Sequence, residues 1–164
     1  MFRRKSVEDK FAAVLYLQVA EEARRSRLFD ACGIPDTLDG RFDALALHAT
    51  LAIDRLRREP DGDRLAQAFF DVMFQHLDVT LREIGVQDLG VGRRIKIMAE
   101  GLHGRALAYR EALAGNGPTS LAEALRRNAY GGRSPTDAAL ARLEEHVRGY
   151  AETLANTSRN DLIK

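Results

Sequence analysis

The 164-residue sequence has one cysteine, almost no net charge and no long apolar run. The lone Cys32 rules out an intramolecular disulfide framework and any CxxC zinc site, and it fits a reducing compartment. A net charge of +1 gives no global signal for nucleic acid or acidic membranes. DNA is therefore not expected as a partner, and any electrostatic partner is to be sought at a local patch. The most apolar stretch, Phe11 to Ala20, is too short to span a bilayer and is closed by Glu21 and Glu22. The start, MFRRKS, is basic like the n-region of a secretory signal. However, Glu8, Asp9 and Lys10 interrupt the approach to the apolar segment, and no small-residue cleavage site follows. The expectation is a soluble, cytoplasmic protein whose membrane contact, if any, is peripheral.

Strand alternation, internal repeats and low-complexity segments are also missing, and helical periodicity takes their place. The reading is all-α: a single compact domain, residues 1–164, of about six helices with short loops. The first helix is expected from Glu8 to Ala31, ended by Gly33 and Pro35. A second, Leu38 to Arg58, is preceded by Asp36, Thr37 and Asp39 as caps. The third, Asp63 to Ile84, is the greasiest, with Ala66, Phe70, Met73, Leu77, Leu81 and Ile84 in one stripe widened by Phe69 and Phe74. So broad a face predicts a central helix, with Gly85 as its stop. Asp88 to Gly92 reads as a loop leading into a fourth helix that ends near Ala114. Ser120 with Glu123 has capping-box spacing for a short fifth helix. Ser134 caps and Pro135 opens a sixth, whose seam Leu140, Leu143, Val147, Tyr150 and Leu154 is either core or a dimer contact. Residues 156–164 read as a frayed polar tail.

No catalytic constellation emerges. There is no GxSxG elbow and no P-loop, and Cys32 sits at a helix end, where the dipole disfavours a thiolate. Glu100 and His103 have the Glu-x-x-His spacing of di-iron bundles, but such sites need two copies and this is the only one. His76, near Met73 and Phe74, sits at the polar edge of a core helix, and there is no CxxCH for haem. The expectation is a non-enzyme with no metal and no cofactor. Asp36, Asp39 and Asp43 read as capping acids, and Asp78 is placed to pair with Arg82. Asp71 and Asp78 share a face and are candidates to hold a neighbouring loop.

One region stands apart. Between Gly90 and Ser134, eight basic residues (Arg93, Arg94, Lys96, Arg105, Arg110, Arg126, Arg127 and Arg133) face only Glu100, Glu111 and Glu123. This leaves +5 there and −4 in the rest of the chain. Such segregation points to an anionic partner, although a charge run on a helix is also what a solvated face looks like.

Several segments in order resemble the ubiquinol–cytochrome c chaperone family. They are Pro35-Asp-Thr-Leu-Asp-Gly-Arg-Phe-Asp43; Leu65 to Phe74 with Phe70, Asp71, Met73 and Phe74; Asp78; and Leu81 to Val86 with Gly85. Downstream come Asp88-Leu-Gly-Val-Gly92-Arg-Arg-Ile-Lys96, Met98 to Glu100, Gly104-Arg105, Tyr109, and Arg127-Asn128 with Tyr130. The resemblance covers residues 35–130, and the short N-terminus looks like the bacterial form. It implies an assembly factor for ubiquinol–cytochrome c reductase (complex III), with newly made cytochrome b or assembly intermediates as partners. Through its relatives it also implies a small partner protein and the ribosome. The inner-membrane surface, on its cytoplasmic face, joins the expected partners. Arg93, Arg94, Lys96, Arg105, Arg127 and Tyr130 are the expected partner-binding residues. Asp36, Asp39, Arg41, Phe42, Asp43, Phe70, Asp71, Met73, Phe74, Asp78, Gly85, Asp88 and Gly92 are expected to be structural. The competing reading is a helical protein- or RNA-interaction module with no respiratory role.

Overall fold

A computed structural model describes residues 5–164. The basic start Met1–Arg4 lies outside the described residues. Among the described residues there are seven α-helices, one 3-10 turn and no strand. They are α1 (Val7–Glu22), α2 (Ser26–Asp30), α3 (Leu38–Leu56), α4 (Gly62–Glu83), α5 (Asp88–Ala114), α6 (Leu121–Asn128) and α7 (Asp137–Asn156), followed by the turn Arg159–Ile163.

The expected first helix is broken in two. Ser6 and Asp9 form a capping box at its start, and the chain turns at Ala23 to Arg25. No Gly or Pro marks this turn. Burial does: the change of direction brings Ala23, Leu28, Cys32 and Ile34 into the core. A straight 24-residue helix at about 1.5 Å per residue would have run past the bundle.

The most enclosed helix is α3. From Ala46 to Ile53 every residue is buried, because α1, α4, α5 and α7 surround it. Its small residues (Ala44, Ala46, Ala49 and Ala52) let those neighbours approach closely. Helix α4, expected to be central, packs against α1, α3 and α5 but is less enclosed, and Val79 and Ile84 at its end are exposed. Gly40 shows how tightly α3 begins. A Cβ there would lie 1.8 Å from the Pro35 carbonyl oxygen, so only glycine fits. Thr37, not an aspartate, caps α3 by accepting the Gly40 N–H at 3.1 Å.

Three further expectations change. Asp88 to Gly92 is the first turn of α5, not a loop, since fully buried Val91 anchors it. That burial offsets the roughly 1 kcal/mol that each glycine costs a helix. The cap of α7 is Thr136, accepting the Ala139 N–H, so Pro135 lies outside the helix. The tail is fastened: Leu162 is buried, Arg159 pairs with Asp61 at 2.7 and 2.9 Å, and its guanidinium lies 5.6 Å from the Phe11 ring. The α7 seam is core, and Gly85 (φ 93°) closes α4 as expected, with the Val86 N–H reaching the Leu81 carbonyl.

Candidate functional site

α3, α5 and α7 run in the same direction, and ion pairs tie α5 to α3. Asp43 meets Arg105, and Asp54 meets Arg110 at 3.0 Å. Where α3 begins, a cleft of about 460 Å³ opens between α3, the first half of α5 and the Gly131-Gly132 loop. Phe42, Ile97 and Met98 give it apolar walls, while Asp39, Arg94 and Arg127 give it polar ones.

The floor of the cleft is a closed polar cluster. The buried Asp43 carboxylate accepts from Arg105 Nη2 at 2.7 Å and from the Gly131 N–H at 2.8 Å. Arg105 also donates from Nε to the Asn128 carbonyl and lies over the Phe42 ring at 5.6 Å. Burial pushes the Asp43 carboxyl up, while Arg105 and the Gly131 N–H hold it down. Both ionic groups thus have hydrogen-bonded partners, as a buried pair requires. Gly101 leaves the room this needs, since a Cβ there would sit 2.7 Å from Arg105 Nη1.

The expected partner-binding residues therefore fall into two groups. Arg93, Arg94 and Lys96 are exposed and make no ion pair among the described residues. Arg127 is exposed and pairs with Glu123. Arg105 is spent on Asp43, and Tyr130 is 1% exposed with its hydroxyl donating to the Cys32 carbonyl at 2.9 Å. Tyr130 offers no free surface, whereas Arg105, though held by Asp43, still lines the cleft. Leu89, Arg93 and Lys96 share one outer face of α5 at i, i+4 and i+7. Leu89 is 93% exposed and Ile97 61%, with Ile84 (56%) close by in the chain at the end of α4. Aliphatic side chains and unpaired cations thus crowd the start of α5.

The other motif residues have local roles. Asp36 pairs with Arg41 at 2.6 Å on the surface, which holds the Asp36 carboxyl low. Asp71 accepts from Gln67, and Asp78 holds Arg82, which also reaches Asp88 across the α4–α5 corner. Met73 and Phe74 are core, and the half-buried Phe70 packs on Phe74 and His103. Gly92 is a helical residue with open space beside it. Cys32 is buried and its thiol pushed up. His76 Nδ1 pairs with the Tyr16 hydroxyl at 2.9 Å, and burial raises that phenol to about 12.

Sequence reasoning missed one cluster. Among the described residues, Glu22, His48 and His146 have side-chain donor atoms all within 4.8 Å of one another. They lie 26 and 98 residues apart on three helices, so no spacing announces them. Desolvation lowers the His48 ring to about 4.

Comparison with known proteins adds three findings. A family model described as ubiquinol–cytochrome C chaperone matches residues 30–164. Ubiquinol-cytochrome-c reductase complex assembly factor 1 of Xenopus laevis is 24% identical over 156 residues, which is 94% of this chain and 78% of that protein. The crystal structure of the Cbp3 homolog from Brucella abortus superposes with a TM-score of 0.78 at 33% identity, covering 95% of this chain and 86% of that one.

Proposed function

The chain belongs to the ubiquinol–cytochrome c chaperone family, and from that premise we propose that it is an assembly factor for respiratory complex III that works as a chaperone and not by catalysis. Its client in this reading is newly made cytochrome b, or an assembly intermediate that contains it. The observation that carries the reading is the start of α5, where Arg93, Arg94 and Lys96 find no counter-ion among the described residues and stand beside exposed Leu89 and Ile97.

A polytopic membrane protein offers a chaperone both apolar segments and loops lying beside anionic headgroups. Cations already satisfied within the fold add little attraction, whereas unpaired ones steer an acidic surface. Near such headgroups each Lys or Arg contributes about 1 kcal/mol. The cleft beside them, walled by Phe42, Ile97 and Met98, supplies a concave apolar surface for a client segment. In this reading the chaperone works peripherally at the cytoplasmic face of the inner membrane.

The test is the triple reversal Arg93→Glu, Arg94→Glu and Lys96→Glu, expressed in cells whose own copy is deleted. Membranes of the deletion strain are expected to lose the b-type signal in reduced-minus-oxidised spectra, together with ubiquinol–cytochrome c reductase activity. Wild type restores both and the folded triple variant does not, while its helicity by circular dichroism is unchanged. Full rescue by the triple variant would remove α5 from the client surface. Normal membranes in the deletion strain would favour a helical interaction module without a respiratory role.

A further inference from the structure

A second constellation lies away from the cleft, where α1, α3 and α7 meet. His48 is fully buried on the enclosed helix α3, and its Nδ1 lies 2.7 Å from the Ala44 carbonyl. A carbonyl only accepts, so that nitrogen carries the proton and the lone pair of His48 sits on Nε2. Nε2 points at Nε2 of His146, 2.9 Å away. The Glu22 carboxylate, at the last residue of α1, completes the group within 4.8 Å. The Tyr150 ring packs on both imidazoles, with centroids 5.0 Å from His48 and 6.2 Å from His146, and walls in one side of the group.

We propose that Glu22, His48 and His146 form a binding site for a divalent transition-metal ion of the zinc type, which clasps α1, α3 and α7 together. Two imidazole nitrogens and one carboxylate oxygen make up a recognised zinc donor set, and a water completes the tetrahedron. The Nδ1–H bond from His48 to a backbone carbonyl is the outer contact that metal-bound histidines ordinarily make. Two nitrogens bound to tetrahedral zinc at about 2.0–2.1 Å stand roughly 3.3 Å apart, so the two rings part by a few tenths of an ångström. The half-buried His146 has the freedom to do this, and moving its proton to Nδ1 frees the second lone pair.

The environment also names the competitor. Arg25, exposed, holds Glu22 at 2.8 Å and occupies the carboxylate until an ion arrives. Metal and guanidinium therefore compete for Glu22, a relation that a purely structural histidine pair would not create.

The experiment uses the full chain, stripped with a chelator and titrated with Zn²⁺ alone in a calorimeter near neutral pH. One ion per chain is expected. Binding should weaken at least a hundredfold in His146→Ala and about tenfold in Glu22→Gln, and stay unchanged in the His103→Ala control. In Arg25→Ala it should tighten several-fold. Zn²⁺ should raise the unfolding temperature of the wild type, and less so that of Glu22→Gln. Glu22 is only half-buried, so Glu22→Gln keeps the test decisive even if His146→Ala folds poorly. Absence of stoichiometric binding, or identical binding in wild type and Glu22→Gln, overturns the site.

Discussion

Along α5, Arg93, Arg94 and Lys96 are exposed and have no ion-pair partner among the described residues, whereas Arg105 and Arg110, about three to five turns further on, are each held by an aspartate of α3. The apolar residues follow this only in part: Leu89 and Ile97 face outward around the buried anchor Val91, while Leu102, Tyr109 and Ala112 are buried and Leu107 is exposed. One helix thus holds a half that the fold has already used and a half that it leaves available. A basic residue's count in the sequence says little about its role. What matters is whether the folded chain supplies a counter-ion.

The comparison breaks most readily at its inner end. Asp43→Ala leaves the half-buried guanidinium of Arg105 without its carboxylate and is expected to cost about 3 kcal/mol in urea unfolding, the low end for a broken buried pair. Arg93→Glu, on the outer half, should stay within about 0.5 kcal/mol of wild type in the same assay. Equal losses would mean that the two halves are not distinct. Tyr130→Phe removes the donor to the Cys32 carbonyl and should cost about 1–2 kcal/mol, with client capture retained once the protein is folded. Arg159→Ala, at a half-exposed pair remote from α5, should cost about 1 kcal/mol in thermal unfolding without touching capture. The smallest stability change, under about 0.5 kcal/mol, belongs to Leu89→Ser. That substitution should nonetheless weaken capture of a membrane-derived client in a pull-down. Unaltered capture would assign the outer half to charge alone.

Much of the helical frame is legible in the order of apolar residues, because the 3.6 period writes burial directly into α3, α4 and α7. The break after Glu22 is not, since its cause is the burial of Leu28 and Ile34 and no local breaker marks it. The glycines in Asp88 to Gly92 point to a loop, whereas one buried valine holds the turn helical. In the site, the exposed cations are readable as a charge excess. Arg105 is counted with them, and its pairing is invisible because its partner is 62 residues away. Tyr130, beside two glycines, looks like a loop residue until the fold sets its hydroxyl on Cys32. A lone acid among apolar neighbours, Asp43 between Phe42 and Ala44, is the signal that comes nearest to revealing the pair.

The final turn carries a consequence for how the molecule is made. Phe11 and Asp61 are completed by Arg159, and the turn's Leu162 is buried in the core. As the chain leaves the ribosome, the outer edge of α1 and the α3–α4 corner emerge early and stay uncovered until residues 159–162 have followed. Closure of that seam therefore waits for Arg159 and Leu162, and a chain made only as far as α7 would show itself to proteases at Phe11.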